Sequence, residues 1–445
     1  MPGRVQAPAD PAAGPGPSVT AHERRGRVPP ARENRAPGGD GPRVYVHVGE
    51  PKTGTTFLQD AMWRNRSSLA AQGVLLPGFS HQDHSRASRD LRGTPRLASD
   101  PAEPWTGEWD VLRREALCGP QTAVISDELL AACTARQADR AVRSLLAAEV
   151  HVILTVRDLA TLLPAEWQEK VKCRSTVQWE EWLDWVIGAG SAADRRSRSW
   201  FWNVHDTLAI LDAWSQHIPP DHVHVITMPS GGPAEELWAR FASVLGIKCA
   251  GIDLSRARAN SSLGLPEAEL LRRVNEALPP DMPDWFYTRH VKRILAHEIL
   301  GARPRQARLA LPGSRQAWAR TQAEDLVASL RDAKFDIVGD LGELLPQPRT
   351  GHYAQSPGQL PEHLLLEASV QAAAAFADRQ YRAMYPAAVP RRRRGGPRQT
   401  AGQLTWRALN GARARRALRS ASHLRAARLL RVAIWRALVR PARHT

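Results

Sequence analysis

The stretch Tyr45–Gln59, YVHVGEPKTGTTFLQ, decides the fold, because a β-rich segment passes through a glycine-containing turn into a helical segment. Gly49 and Gly54 have the spacing of the glycines in the nucleoside-triphosphate loop G-x-x-x-x-G-K-[ST]. The seventh position is nevertheless Thr55, and Lys52 stands two residues before the second glycine. A triphosphate loop uses a lysine at the seventh position to reach the β- and γ-phosphates, so this stretch predicts a different anion.

The turn and the start of the following helix form the predicted anion site. Backbone N–H groups converge there, and the helix macrodipole adds about half a positive charge. Gly54 allows close approach of the backbone, while Thr55 and Thr56 place hydroxyl groups in the first turn. A transferred sulfuryl group carries less negative charge than a phosphoryl group, so Lys52 alone can replace a metal ion and stabilise the leaving oxygen.

The segment PKTGTT, Pro51–Thr56, resembles the 5′-phosphosulfate loop of the PAPS-dependent sulfotransferases, P-K-[ST]-G-[ST]-[ST]. The layout of residues 42–386 is also similar to that of bacterial members of this family. The resemblance implies that a sulfuryl group is moved from 3′-phosphoadenosine-5′-phosphosulfate (PAPS) to a hydroxyl acceptor, with no metal. The nucleotide-binding residues that it implies are Lys52, which is also the implied catalytic lysine, Thr53, Gly54, Thr55 and Thr56.

A second motif of the family, R-[ND]-P-x-x-x-x-x-S, binds the 3′-phosphate and follows a buried strand. The segment beginning TVRDLATLL matches it at Arg157, whose planar guanidinium can grip a phosphate. The chain departs from the motif at Leu159, in place of proline, and at Ala165, in place of serine. Gln168 and Arg174 are candidates to bind the 3′-phosphate in place of that serine.

A polar loop, Ser255–Gly264, provides a third resemblance, to the asparagine-containing loop of many bacterial sulfotransferases. Arg256, Arg258 and Asn260 could close over the nucleotide from this loop. An ordinary polar loop fits the same residues equally well.

Sulfuryl transfer to an alcohol requires a group that accepts the hydroxyl proton, usually histidine or glutamate. In the family this residue often follows the second strand, where the segment GFSHQDHSRASRDL contains the predicted base, His84, and its alternatives His81 and Asp83. Glu128 is the other candidate, because it ends the predicted strand TAVISDE and resembles the Ser-x-Glu of related bacterial enzymes. The carboxyl edge of a parallel sheet is where such folds bind ligands.

Strand-like segments alternate with helical ones in the first half of the chain, which is typical of a parallel α/β sheet. The segments with strand character are Arg43–Gly49, 74–78, 122–128, 149–158 and 222–229. Beyond Pro233 the pattern is mostly helical and ends with Glu362–Met384. The predicted fold is α/β, a P-loop-type three-layer fold with a central parallel sheet, a helical C-terminal part and a basic tail.

Charged residues are distributed unevenly along the chain, and their distribution suggests where the domains begin and end. Residues 391–445 contain sixteen arginines and no acidic residue, so the first 390 residues carry 45 basic and 45 acidic side chains. We therefore predict a disordered leader (1–41), a sulfotransferase-like domain (42–386) and an Arg-rich tail (387–445). The tail could lie on an anionic membrane surface, bind an acidic partner, or be a solvated or disordered extension. Because the first 390 residues carry no net formal charge, we do not expect specific nucleic-acid binding.

The four cysteines are scattered and show no C-x-x-C pairing, so the sequence predicts neither structural zinc nor a disulfide framework. Such cysteines favour a cytoplasmic protein, and the basic tail would allow a peripheral position at the inner membrane face.

Fifteen tryptophans include Trp179, Trp182 and Trp185, spaced three apart. They could line an acceptor pocket, although packing between helices is the commoner role of such a stripe. The acceptor class remains open among sugars, lipids and small molecules such as phenols.

Two other functions fit part of the pattern. A nucleotide-dependent P-loop kinase or hydrolase would need a carboxylate for magnesium, for which Asp127 is the nearest candidate. A non-catalytic anion-binding protein, tethered by the basic tail, would need only the loop.

Overall fold

The computed structural model describes residues 42–94, 105–118, 122–188, 200–255, 257, 263–304, 307–347, 353–354 and 356–385. The predicted leader and tail lie outside these residues, as do Arg256, Arg258 and Asn260 of the third motif. Within the described part of the chain, no helix combines the length and the apolar character needed to cross a membrane.

The centre of the fold is a six-stranded sheet in the order β2-β3-β1-β4-β5-β7, in which every pairing is parallel. A separate parallel pair consists of β6 and β8. The strands are β1 Arg43–Gly49, β2 Val74–Leu75, β3 Thr122–Ser126, β4 Glu149–Val156, β5 Val223–Thr227, β6 Arg308–Leu309, β7 Asp336–Val338 and β8 Tyr353–Ala354. The α/β class and the parallel sheet are thereby confirmed.

Helices connect the strands and extend the chain beyond the sheet. The longer ones are Thr55–Arg64, His81–Leu91, Glu108–Ala116, Ala135–Leu145, Leu159–Lys172, Trp179–Ile187, Thr207–Ser215, Ala234–Leu245, Leu265–Ala277, Tyr287–Ile299 (with π-type hydrogen bonding), Gly313–Asp332 and Glu362–Met384. Short ones are Arg66–Ala71, Glu128–Ala132, Trp200–His205, Pro220–His222, Asp284–Phe286, Leu300–Ala302, Leu341–Leu344 and Pro357–Gln359.

Both faces of the sheet are covered, because alternate side chains of a strand point to opposite sides. In β1, Val44, Val46 and Val48 pack into one cluster and Tyr45 packs into another. Helices that contribute to the first cluster include His81–Leu91, Ala135–Leu145 and Thr207–Ser215. The second cluster contains residues of helices Thr55–Arg64 and Ala234–Leu245, together with Leu69 of the short helix Arg66–Ala71. Each fully buried valine or leucine contributes about 1.5–3 kcal/mol, so these two clusters hold the layers together.

The tryptophan-rich segments form a third cluster beside the sheet. Trp179 and Trp182 are buried, with stacked rings 5.7 Å apart, and Trp202 packs close to them. Trp185, by contrast, is 53% exposed, so the predicted stripe is buried only in part. The buried members pack between helices.

Four predicted strands are shorter in the structure: 74–78, 122–128, 149–158 and 222–229 are observed as Val74–Leu75, Thr122–Ser126, Glu149–Val156 and Val223–Thr227. The predicted strand 122–128 ends at Ser126, and Glu128 begins a short 3₁₀ helix because the Asp127 side chain accepts a hydrogen bond from Leu129 N and caps it. The edge strand β7 was not predicted, since a three-residue strand is too short to show periodicity.

The connections that follow the neighbouring strands β1 and β3 lie on opposite sides of the sheet. The helix after β1, Thr55–Arg64, covers one face, and the helix after β3, Ala135–Leu145, covers the other. The carboxyl ends of two such neighbouring strands open into a crevice, which is where open α/β sheets bind ligands.

Candidate functional site

The loop after β1 has a backbone that few side chains tolerate. Lys52 has a φ of 62° and Gly54 a φ of 90°, and a Cβ atom on Gly54 would lie 2.3 Å from a methyl group of Leu237. The hydroxyls of Thr53 and Thr155 lie 2.5 Å apart and bind carbonyl oxygens of the loop, which fixes it to β4. The side chain of Thr53 is therefore part of the loop's frame.

The helix that follows the loop begins without a side-chain cap. Gly54 occupies the cap position, and the first turn, which includes Thr55 and Thr56, contains no acidic residue. Because the first N–H groups of a helix lack intrahelical partners, this end attracts an anion.

The Lys52 ammonium group belongs to a cluster of three lysines around one carboxylate. Lys52 Nζ lies 2.6 Å from Glu169 Oε2, Lys172 Nζ lies 2.8 Å from the same oxygen, and Lys292 Nζ lies 2.9 Å from Oε1. Although burial opposes ionisation of Glu169, the three lysines hold its pKa well below the ordinary value. Three ammonium groups share one carboxylate, so an incoming anion would find surplus positive charge.

Glu128 faces the same loop from the end of β3. A Cβ atom on Gly49 would lie 2.9 Å from the Glu128 carbonyl oxygen, so glycine is what lets the two strand ends approach. Gln59 Nε2 donates to Glu128 Oε2 at 2.9 Å. Burial, followed by the charge of Asp127, raises the pKa of the Glu128 carboxyl, while Gln59 and the charge of Lys52 partly oppose the rise.

Arg157 lies at the end of β4, and its Nη1 donates to the Lys52 carbonyl oxygen at 3.2 Å. The first two motifs therefore meet in the structure.

Two residues were candidates to replace the serine of the second motif, where this chain has Ala165. Arg174 donates to the carbonyl oxygens of Met282 and Pro279 at 2.7 and 2.8 Å. Gln168 is buried, and its side-chain oxygen has no hydrogen-bond partner among the described residues.

His84, the predicted base, lies inside helix His81–Leu91 rather than in a loop, and is 1% exposed. Its Nδ1 accepts from Ser126 N at 3.0 Å, and its Nε2 donates to the Pro77 carbonyl oxygen at 2.8 Å. Burial lowers its pKa. With both ring nitrogens bound to backbone, His84 joins the second strand to the third and is not used in the mechanism proposed below.

The two alternatives to His84 mark the start of the same helix. Asp83 accepts hydrogen bonds from Phe79 N at 2.8 Å and Ser80 N at 2.9 Å, which is the geometry of a helix cap. His81 is the exposed first residue of the helix.

A buried ionic network lies behind the loop and was not predicted. His205 Nδ1 is 3.2 Å from Glu50 Oε2, and its Nε2 is 3.4 Å from Glu166 Oε1. Thr207 Oγ1 donates to the other oxygen of Glu50 at 2.5 Å. Burial alone would lower the pKa of His205, but the close contacts with Glu166 and Glu50 and the charges of both glutamates outweigh it and raise the pKa to about 9. Glu50 immediately precedes Pro51, so the network fixes the base of the loop.

The raised pKa of His205 makes stability depend on pH. An ordinary histidine pKa is 6.5, so the stabilisation is complete below that value and is lost as the pH rises through about 9. We expect the free energy of unfolding of the wild type to fall by roughly 3 kcal/mol over this range. Urea unfolding at pH 6 and pH 10, compared with His205→Gln, measures it. An equal fall in the variant would assign the loss to other groups.

Six charged residues of the site escaped the sequence analysis: Glu50, Glu166, Glu169, Lys172, His205 and Lys292. Glu169 and Lys172 lie three residues apart on helix Leu159–Lys172, a spacing that also occurs in ordinary surface pairs. Lys292 and His205 come from distant segments with no motif around them. A buried glutamate next to the loop motif, Glu50, was the one available signal.

No protein-family model matches this chain, and neither curated proteins nor solved structures gave a match. What the site does must therefore be inferred from its own residues.

Proposed function

We propose that the protein is a PAPS-dependent sulfotransferase with a P-loop-type fold, which moves a sulfuryl group from PAPS to a hydroxyl group of a sugar, lipid or small molecule. The observation that carries the proposal is the position of Lys52, which lies in the loop before an uncapped helix and whose charge reaches Glu128. A cation, a helix end and a carboxyl with a raised pKa are what this transfer requires.

The donor would bind along the loop after β1. In this proposal the 5′-phosphosulfate occupies the turn and the first N–H groups of helix Thr55–Arg64, and Lys52 exchanges Glu169 for the donor. Arg157, beside the Lys52 carbonyl, would hold the 3′-phosphate.

The chemical step would be an in-line displacement at sulfur. The acceptor oxygen forms a bond to sulfur as the bond between sulfur and the 5′-phosphate oxygen breaks, and the hydroxyl proton passes to the Glu128 carboxylate. Lys52 stabilises the negative charge that develops on the leaving phosphate oxygen. A raised pKa brings Glu128 closer to the working pH, which favours proton transfer.

No observation on the described residues supports the kinase or hydrolase alternative as the position of Lys52 supports the sulfotransferase. The carboxylate suggested for magnesium, Asp127, accepts from Leu129 N through Oδ1 and from Ser85 Oγ through Oδ2. One oxygen thus caps the short helix after β3, and the other binds helix His81–Leu91.

The test is binding of 3′-phosphoadenosine-5′-phosphate (PAP), the desulfated donor, measured by calorimetry in EDTA. Adenosine 5′-monophosphate is the matched control ligand, since it lacks only the 3′-phosphate. A charge-assisted hydrogen bond contributes about 1.5–3 kcal/mol, so we expect PAP to bind at least about tenfold more tightly. The difference should vanish in Arg157→Ala.

Two results would contradict the proposal. Magnesium-dependent binding or hydrolysis of ATP, with no response to PAP, would favour the kinase or hydrolase. Tight binding of PAP without transfer from PAPS to any hydroxyl acceptor would favour the non-catalytic anion-binding protein.

A further inference from the structure

Histidines and carboxylates gather at the amino-terminal edge of the sheet, the edge away from the loop of Lys52. Glu149 and His151 lie two residues apart and therefore point to the same side of β4. His224 lies in β5, and His222 stands two residues earlier, at the end of the short helix Pro220–His222. The histidine cluster consists of Glu149, His151, His222, His224 and Asp336, the first residue of β7.

Three members of the histidine cluster could share one ion. Glu149, His151 and His222 each offer one ligand atom, and these atoms lie within 4.8 Å of one another. In a tetrahedral zinc site, ligand atoms 2.0–2.1 Å from the ion are about 3.3 Å apart, so the three atoms must move closer together to share an ion. The rings of His151 and His222 are stacked 4.1 Å apart, and His222, which is partly exposed, would turn to present its nitrogen.

The residues around these three atoms form the outer sphere that a metal site needs. His151 Nδ1 lies 2.9 Å from His224 Nε2, and His224 Nδ1 lies 2.7 Å from Asp336 Oδ2. Arg43 donates to both oxygens of Glu149, at 2.9 and 3.3 Å. Metal-binding histidines usually donate their second ring N–H to such a partner, and metal-binding carboxylates are themselves hydrogen-bonded.

An ion could take the place of one hydrogen bond in the row Glu149–His151–His224–Asp336, which contains three. An ion bound to His151 Nε2 replaces the first of these bonds. His151 Nδ1 then donates to His224, and His224 Nδ1 donates to Asp336, so every remaining bond has its proton.

We propose that Glu149, His151 and His222 bind a divalent transition-metal ion, Zn²⁺ or one of similar ligand preference, at the start of β4 and β5. Two imidazole nitrogens and one carboxylate oxygen are typical ligands of such ions. The Glu149 side chain is 36% exposed, which gives the ion a path from solvent and leaves its fourth position to water. The ion would join two adjacent strands and stabilise the sheet edge.

The test uses the full chain, stripped with EDTA and titrated with Zn²⁺ against a chromophoric chelator, and separately with Co²⁺, whose visible absorption reports tetrahedral coordination. We expect one high-affinity site in the wild type. His222→Ala should weaken Zn²⁺ binding by more than about 100-fold, the upper range for changes outside the ligand set. His217→Ala is the matched control, because His217 is a neighbouring, partly exposed histidine paired with Asp139.

Asp336 serves as a positioning residue, and its test separates this role from general stability. Asp336→Asn should weaken Zn²⁺ binding by about 10–100-fold and alter the Co²⁺ spectrum, whereas Asp336→Glu should restore much of both. Circular dichroism of the metal-free variants checks that each is folded. The proposal fails if the wild type binds Zn²⁺ no more tightly than His222→Ala, or if Co²⁺ in the wild type shows only octahedral absorption.

Discussion

Lys52→Ala should lower the rate of sulfuryl transfer from PAPS by about 10³-fold, the largest loss expected for a single group that stabilises transition-state charge. Lys52 is the cation placed in the loop before the uncapped helix, so its removal takes away the ammonium group proposed to stabilise the leaving phosphate oxygen. The measurement is formation of PAP from PAPS with a panel of hydroxyl acceptors containing a sugar, an alkyl glycoside and a phenol.

Two further variants distinguish this effect from a general loss of charge. Lys248→Ala removes an exposed lysine whose backbone N–H and carbonyl oxygen bind the side chain of Gln72, so we expect an unchanged rate. Glu169→Gln should tighten PAP binding, because Glu169 competes with the nucleotide for Lys52. Equal rates in the wild type and Lys52→Ala would remove the basis of the proposed function.

Glu128→Gln should reduce the turnover rate by about 10²–10⁴-fold, the usual contribution of a general base. Glutamine keeps the shape and the contact with Gln59 but cannot accept the hydroxyl proton. In the wild type the base must be ionised, so kcat/KM should fall as the pH drops through a pKa above the ordinary value of 4.5.

The pH profile identifies Glu128 by comparison. The acid-side fall should disappear in Glu128→Gln and persist in Glu181→Gln, an exposed carboxylate on helix Trp179–Ile187. PAP binding should survive in Glu128→Gln, because the loop and Arg157 are unchanged. If the variant retains the wild-type rate and profile, the base lies elsewhere.

Much of the sheet could be predicted from local patterns. Apolar runs flanked by polar residues predicted β1, β3, β4 and β5, and each predicted end lies within two residues of the observed one. These strands are recognisable because a strand buried on both faces must be apolar throughout. Helix Glu362–Met384 was predicted with its observed bounds. β7 was missed because three residues gain their strand geometry from pairing with β5, not from their own sequence.

The site was predicted only where it is local in sequence. Lys52 through Thr56 form one continuous segment, from the turn into the start of a helix, and Arg157 follows a recognisable strand, so both could be placed. The burial of His84 could not be foreseen, because its ring nitrogens are occupied by backbone atoms 7 and 42 residues away. The same holds for Lys292, which reaches Glu169 across 123 residues.

The sequence by itself determined the parallel α/β class and the strand–loop–helix that presents Lys52, because both depend on periodicity and on neighbours along the chain. Tertiary structure alone decided which titratable groups meet: Glu128 beside the loop, three lysines around Glu169, His205 between two glutamates, and the histidine cluster at the far edge. Such groups come from separate strands and helices, and only packing brings their charges close enough to change one another's pKa or to share a ligand.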